Sequence, residues 1–283
     1  TTEIYTLSLH DALPIYVLCE KPIATNMNDA TEFVRCVRSA DCKVLIAHII
    51  RHNKTYQKIR EIIREGTIGQ LKVVRMIQNH HTMDWQRYSR LLEDCTPVLD
   101  CGVHYIDLLQ WLTESRIREV SGMGVRLDHD SPRINYTHSL FKLENGCIGY
   151  YEAGWSRHTP SENVKEFIGT EGYIKLKMKN QRSENREEGD LIVVYTGQKG
   201  EYRHINMDVP YKDFYSQLTE LIGMIEGRTE GNPTIDEVFS AFEAALAAQE
   251  IIESGEMSNQ TLIMLNTKTG FRRKLMGRSI HGS

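Results

Sequence analysis

Two short stretches hold the residues whose types and spacing could do chemistry. In VLCEKPIA, Lys21 follows a brief apolar run and precedes a proline. In CTPVLDCGVHYIDLLQWL, Asp100 and His104 lie one helical turn apart, and Asp107 follows the histidine by most of another. Histidine titrates near neutral pH and can exchange a proton, while a neighbouring carboxylate can orient the ring and stabilise its charged form. A helix starting near Cys101 would put His104 and Asp107 on one face, with Asp100 at its mouth. The plain alternative makes Asp100 a helix cap, His104 a satisfied half-buried side chain and Asp107 part of a solvated face, and spacing alone does not choose between them. Lys21 has its own plain alternative, an exposed surface lysine, the usual fate of that residue type.

The elements that must position these residues change character once along the chain. YVLCEKP reads as a short strand, and MNDATEFVRCVRSA as a helix with Ala30, Phe33, Val34 and Val37 at helical spacing and Asn28 as its cap. KVLIAHIIR reads as a second strand, almost wholly apolar, as a parallel strand buried on both faces should be. KTYQKIREIIREGTIG repeats Tyr56, Ile59, Ile62 and Ile63 at helical spacing and stops at Gly66. This part is α/β, an architecture in which ligands gather at the C-terminal ends of strands, where Lys21 falls.

Beyond Gly69 the pattern is mostly strands: QLKVVRMIQNHH, REVSGMGVRLD, THSLFKLENGCIGYYEAGWS, NVKEFIGTEGYIKLKM and DLIVVYTGQKGEYRHINM, with a tight turn at Asn145-Gly146. One helix, GVHYIDLLQWLTES, interrupts them, and two more close the chain, YKDFYSQLTELIGMIEG and IDEVFSAFEAALAAQEIIESG. The last is expected to be capped by Asp236 or Thr234 and stopped at Gly255. KNQRSENREEGD is too polar for a core and reads as an exposed connection. A large, mainly antiparallel open β-sheet flanked by helices follows, so the fold class is α/β plus α+β.

Composition narrows the partners. A chain of 283 residues with 40% hydrophobic and 25% charged content can bury the core of one large or two smaller domains. The net charge of -4 offers no general attraction to nucleic acid or an anionic membrane surface, although residues 268–278 are locally basic. No apolar run approaches the roughly 18 residues of a membrane helix, and no basic-then-apolar secretion signal opens the chain. The expectation is a cytoplasmic protein with neither nucleic-acid nor membrane partner. The six cysteines are scattered and read as reduced thiols. A metal site from His80, His81, Cys95, Cys101 and His104 would want a C-x-x-C or H-x-x-x-H pair among them; there is none, and no metal is expected.

Taken together and in register, CEKP and LDCGVHYIDLLQWL resemble the glucose–fructose oxidoreductase / inositol dehydrogenase / rhizopine catabolism (Gfo/Idh/MocA) family of NAD(P)-dependent oxidoreductases. That family carries E-K-P and D-x-G-x-H-x-x-D at matching places. IREGTIGQLKVVR is similar to its passage between domains, and IDEVFSAFEAALAAQEIIESG to its final alanine-rich helix. The resemblance implies a Rossmann-like dinucleotide-binding domain followed by the large sheet, with NAD or NADP as cofactor and a sugar, cyclitol or related polyol as substrate. It further implies that Lys21 lies between nicotinamide and substrate and holds the reacting oxygen. His104 then takes the hydroxyl proton as the hydride passes to the nicotinamide, and Asp100 is the aspartate of the second motif. Glu20 and Pro22 would shape the turn against the nicotinamide ribose, and Arg51 is a further candidate contact to cofactor or substrate. The substrate pocket is expected between cofactor domain and sheet, with His81, Asp84, Trp85 and His104 as its residues and His80, Arg157 and His158 nearby. Polar groups beside an aromatic suit a polyhydroxylated ring. Association into a homodimer or homotetramer through the open sheet face is implied as well.

One departure from the family is large. No G-x-G-x-x-G, the turn that binds the pyrophosphate, precedes Glu20, where two further βαβ units of roughly 30 residues each are expected. In their place stands TTEIYTLSLHDALPI, which matches the translation of a common sequencing-library adapter. The expected organisation is a non-native segment at 1–15, the rest of a truncated Rossmann domain at 16–66, a substrate and oligomerisation domain at 67–260, and a strand with a basic tail at 261–283. Two function classes stand: a polyol dehydrogenase without its phosphate-binding part, and a non-catalytic binding or assembly protein on the same fold.

Overall fold

The computed structural model describes residues 16–178, 189–197, 200–210 and 212–255, together with the backbone of 263–264. Segment 1–15, the stretch 179–188 of the polar connection and the basic end of the chain lie outside the described residues. Strand β1 (Val17–Cys19) pairs in parallel with β2 (Val44–Ile46), Val17 opposite Val44 and Cys19 opposite Ile46. Helix α1 (Met27–Ser39) joins them, burying Ala30 and Val34. Its cap is Asn26 rather than Asn28: the Asn26 side chain accepts from the Asp29 N–H at 3.0 Å, the offset at which a capping side chain reaches an orphan donor.

The apolar run that predicts a strand through Arg51 is a strand only to Ile46. Ile49–His52 form a 3₁₀ turn in which all four residues are buried. A run buried on every side has no two-fold period to lose, so sequence cannot separate strand from turn there. Asn53 then caps α2 (Lys54–Arg64), accepting from the N–H groups of Thr55 and Tyr56, and Gly66 ends the turn beyond it at φ 72°.

Among the described residues the second sheet has nine strands: β3 (Leu71–His81), β4 (Ile117–Val125), β5 (Tyr136–Leu143), β6 (Ile148–Ser156), β7 (Glu162–Gly169), β8 (Gly172–Lys177), β9 (Asp190–Thr196), β10 (Glu201–Met207) and the two-residue β11 (Ile263–Met264). Their order is β10-β9-β8-β7-β3-β6-β5-β4-β11, antiparallel throughout except for the central pair β3 and β6. Asn145-Gly146 makes the expected hairpin between β5 and β6, with Gly146 at φ 82°. Asp190, which ends the polar connection and opens the next expected strand, is buried at the start of β9, where Thr55 donates to it at 3.2 Å.

Helices α3 (Trp85–Asp94), α4 (Pro97–Asp100) and α5 (Gly102–Thr113) follow β3, and α6 (Phe214–Ile225) and α7 (Ile235–Ser254) follow β10. Of these five, the amino-acid pattern marks α5, α6 and α7 as helices and leaves α3 and α4 unread. Helix α7 opens on a capping box between Thr234 and Glu237 and ends at Gly255 in the left-handed region. Its buried residues include Ala241, Ala244, Ala245, Ala247 and Ala248, small enough to let it lie close to α4, α5 and β4. The approach is tightest at Gly124 of β4, where a Cβ would stand 2.7 Å from Ile252 Cγ2. The core is continuous across residue 66: Ile49, Tyr56 and Ile59 share one cluster with Val98, Ile106, Tyr151 and Phe242. No helix among the described residues is long and apolar enough to cross a membrane.

Candidate active site

Asp100 and His104 are set in place by the α4–α5 corner. Thr96, just before α4, is buried and donates both its backbone N–H (2.8 Å) and its hydroxyl (3.0 Å) to Gln249 Oε1 of α7, which pins the corner to the core. At the start of α5, Gly102 leaves room for the sheet: a Cβ there would meet Tyr151 Cε1 at 2.8 Å. Asp100 ends α4 and does not cap α5, whose N-cap, Cys101, makes no side-chain cap bond.

Lys21 reaches this corner from the C-terminal end of β1. Its Nζ donates to Asp100 Oδ1 at 2.7 Å and to the Asp100 carbonyl at 3.1 Å, with both side chains less than a fifth exposed. Burial works against the ammonium charge, but Asp100 foremost, with Cys101 and Glu20, outweighs it and holds the Lys21 pKa above the ordinary lysine value. The other carboxylate oxygen, Oδ2, accepts a long 3.7 Å contact from the Cys101 thiol. Both oxygens of Asp100 are therefore engaged away from His104.

His104 is partly exposed, yet its Nδ1 is buried and has no hydrogen-bond partner among the described residues. Its ring meets that of His48 edge-on, centroids 5.4 Å apart. Burial, then the neighbouring His48 ring and the ammonium groups of Lys21 and Lys212, push the His104 pKa well below the usual histidine value, so the ring is neutral at pH 7. The expectation that Asp107 shares a working face with His104 is not met. Asp107 is buried and takes two N–H bonds from Arg51, Nε and Nη2, each at 2.7 Å. A buried guanidinium needs a bidentate carboxylate more than a neutral imidazole does. His48 Nδ1 stands 3.6 Å from Asp107 Oδ2, but burial lowers the His48 pKa and the distance exceeds a hydrogen bond, so this contact is not an ion pair.

Arg51 itself is a correction. Its side chain is 2% exposed, and beyond Asp107 it donates to Asn232 Oδ1 at 3.0 Å and pairs with Glu237 at 3.1 Å. Its donors point into the protein rather than towards a ligand. Glu20 is exposed and Pro22 half-buried, joined to Lys21 by a cis peptide bond.

The remaining candidates gather elsewhere. His81 is exposed at the end of β3, its Nδ1 3.1 Å from the Thr159 carbonyl. Asp84 caps α3 by accepting from the Arg87 N–H. Trp85 donates to Asp130 at 3.1 Å beneath the Arg157 guanidinium, which lies 4.6 Å from the indole centroid and pairs with Asp128 and Asp130. His158 is exposed, 3.5 Å from Asp128. Among the described residues Trp85, Arg157 and His158 gather around Asp128 and Asp130, while His81 is held by Thr159 and Asp84 by Arg87; none of the five bonds with Lys21, Asp100 or His104. His80 differs: its ring lies 6.2 Å from that of Tyr88, which in turn meets Trp155 at 5.3 Å. Burial, then the charges of Cys101 and Asp100, raise the Tyr88 pKa above the ordinary tyrosine value. The amino-acid pattern missed His48, Tyr88 and Trp155; of these only Tyr88 carried a signal, the amphipathic spacing of WQRYSRLLED. An open hollow of about 340 Å³ beside Thr67, Glu171, Thr196 and Arg203 is lined by none of these residues.

Residues 56–175 match the family model described as the GFO/IDH/MocA C-terminal domain. Among curated proteins, the chain is 28% identical over 169 residues to 2,7-anhydro-N-acetylneuraminate hydratase of Escherichia coli (strain K12), covering 58% of this chain and 45% of that protein. It is 23% identical over 226 residues to myo-inositol 2-dehydrogenase of Thermotoga maritima, covering 77% and 64%. The chain thus spans about half to two thirds of the length of the curated relatives it matches. Among solved structures, an oxidoreductase from Agrobacterium radiobacter in complex with NAD+, L-tartaric acid and magnesium superposes with a TM-score of 0.69 at 16% identity, covering 88% of this chain and 73% of that one. At that identity the likeness is one of fold.

Proposed function

We propose that Lys21, Asp100 and His104, in a chain whose residues 56–175 match the GFO/IDH/MocA C-terminal domain, serve oxidoreduction at a hydroxyl carbon of a sugar, cyclitol or related polyol, with NAD or NADP taking the hydride. The observation that carries the proposal is the Lys21–Asp100 pair at 2.7 Å beside a neutral, partly exposed His104. A C–H bond gives up hydride readily only as the neighbouring O–H proton departs, and a neutral imidazole can accept that proton, a step worth roughly 10²–10⁴-fold. The Lys21 ammonium, held by Asp100, would stabilise the negative charge growing on the oxygen and lower the hydroxyl's own pKa, which offsets the weak basicity that burial imposes on His104. Asp100 acts as the residue that keeps Lys21 charged and in place.

A nicotinamide supplies the hydride acceptor when bound, and Glu20, Lys21 and Pro22, at the end of a parallel strand, suit that end of the cofactor. The described residues do not fit its phosphates. The chain contains no G-x-G-x-x-G, and α1, the helix after β1, has its N-terminus closed by Asn26 and carries Asp29 in the first turn. The chain as it stands is therefore expected to bind NADH weakly. Incubating it with millimolar NAD+ or NADP+ and a panel of sugars and cyclitols should yield reduced cofactor from at least one polyol, without saturation at micromolar cofactor. Silence across the panel would favour the second reading, a non-catalytic binding or assembly protein. That reading draws support from exposed Met123, Leu140, Ile148 and Ile168 on the sheet face away from the helices. The same face supports association with a second copy, and six free thiols support a reducing, cytoplasmic setting.

A further inference from the structure

A histidine that takes a proton from a substrate is ordinarily held in place by a hydrogen bond on its other nitrogen. His104 lacks that hold: its Nδ1 is buried and has no hydrogen-bond partner among the described residues. Both carboxylates of its own motif are engaged elsewhere. Asp100 gives Oδ1 to Lys21 at 2.7 Å and Oδ2 to the Cys101 thiol, and Asp107 gives both oxygens to Arg51. What meets the His104 ring instead is the ring of His48, edge-on, with centroids 5.4 Å apart and planes at 90°.

His48 is itself fixed from several sides. Its N–H donates to the Ile46 carbonyl at the end of β2 (2.8 Å), and its carbonyl accepts from the Arg51 N–H (3.0 Å), which closes the 3₁₀ turn. The residue is 1% exposed, so its ring has close-packed protein around it and no solvent to swing into. Residues three apart stand nearly one above the other in a 3₁₀ turn, and residues three apart share a face of an α-helix. His48 and Arg51 are such a pair on the turn; His104 and Asp107 are such a pair on α5. The two elements therefore meet in two rungs, Arg51 on Asp107 at 2.7 Å and His48 on His104. The first rung fixes the place of α5, because parting it would strand a buried charge. Between the rungs, His48 Nδ1 stands 3.6 Å from Asp107 Oδ2, too far to bond, so the second rung is a contact of ring against ring.

Resting on the polyol reading above, we infer that His48 is a positioning residue: packed edge-on against His104 and tied to the Arg51–Asp107 rung through its own turn, it holds the His104 ring so that Nε2, across the ring from the buried Nδ1, faces the substrate hydroxyl. His48 acts through His104. Proton transfer needs the accepting nitrogen within hydrogen-bond reach of the hydroxyl, and a misplacement of about 1 Å can cost about a hundredfold. Because the hold is one of shape, another aromatic ring of similar size serves in its place, whereas a side chain without a flat ring does not.

The pair His48→Ala and His48→Phe gives the test, with His48→Leu in place of His48→Ala should that variant not fold. Apparent kcat and KM for the polyol that reacts best are measured at one fixed millimolar cofactor concentration, at a temperature where urea curves show each variant fully folded. The His104 ring resonances, assigned by their loss in His104→Gln, are followed alongside. His48→Ala is expected to lower kcat by about tenfold to a hundredfold while KM stays within about twofold, and to turn one set of His104 ring signals into a broadened or doubled set. His48→Phe should bring kcat back to within about threefold of the parent and keep the single set. A role in stability alone would lower the urea midpoint but leave the kcat of the folded variants and the His104 signals unmoved. The inference is overturned by a kcat in His48→Ala within about twofold of the parent, by unchanged His104 signals in that variant, or by a His48→Phe that does no better than His48→Ala. A parent chain that turns over no polyol sinks the polyol reading; the His104 signals then decide the placing of the ring by themselves, doubling in His48→Ala upholding it and a single set in both overturning it.

Discussion

Burial acts on Lys21 and His104 in the same direction, against charge, and the neighbours decide the outcome. Lys21 has a carboxylate at 2.7 Å and stays a cation; His104 has none and stays neutral. That division suits a base beside an electrostatic stabiliser, and it also predicts how stability responds to acid. His48, His52, His80 and His104 all have pKa values below the usual 6.5, with burial the largest cause in each. Below about pH 6.5 the unfolded chain's imidazoles take up protons while the folded ones do not, so stability falls as pH falls through that window. His48, almost wholly enclosed, contributes up to about 1.4 kcal/mol per pH unit. Urea midpoints at pH 7 and pH 5.5 should therefore drop less in His48→Phe than in the parent chain; equal drops would contradict the burial account. None of this was readable from AHIIRHN, because which histidines lose their water depends on what packs over them.

At the scale of elements, the start of α5 sets where His104 stands. Gly102→Ala would place a methyl 2.8 Å from Tyr151 Cε1, and overpacking of this kind costs about 1–3 kcal/mol. Its chemical-denaturation midpoint should fall accordingly, and a midpoint equal to the parent's would show that the corner is looser than the contacts indicate. The elements differ in how much their sequences disclose. Helix α7 announces itself, with Thr234 and Glu237 at capping-box spacing and Gly255 at its end, because each signal is local. Helix α4 is four residues long, too short for a period, and its place depends on a bond from Thr96 to Gln249, far along the chain. The same distance effect hid the true partners of the candidate residues. Asp107 and His104 were legible as chemically capable, but that Arg51 captures the first and leaves the second without a carboxylate follows only from the tertiary meeting of α5 with the 3₁₀ turn after β2.

For the whole molecule, fold class and site motifs were readable, whereas strand order was not. Hydrophobic alternation marks strands one at a time, and nothing local in QLKVVRMIQNHH tells β3 to lie parallel to β6 between antiparallel neighbours. The resulting sheet carries helices on one face and leaves Met123, Leu140, Ile148 and Ile168 exposed on the other. A second copy would cover that apolar surface. Light scattering after gel filtration should give the mass of two or more chains, and Leu140→Lys with Ile148→Lys should give one; a single-chain mass for the parent would remove association through this face. The account as a whole rests on a neutral imidazole and a held ammonium acting on one hydroxyl. Its most direct test is the initial rate of NAD(P)H formation at one fixed millimolar cofactor concentration for the parent chain, His104→Ala and Lys21→Ala, using the polyol that reacts best. The account predicts a fall of at least about a hundredfold in each variant, with folding retained; an unchanged rate in His104→Ala would contradict it.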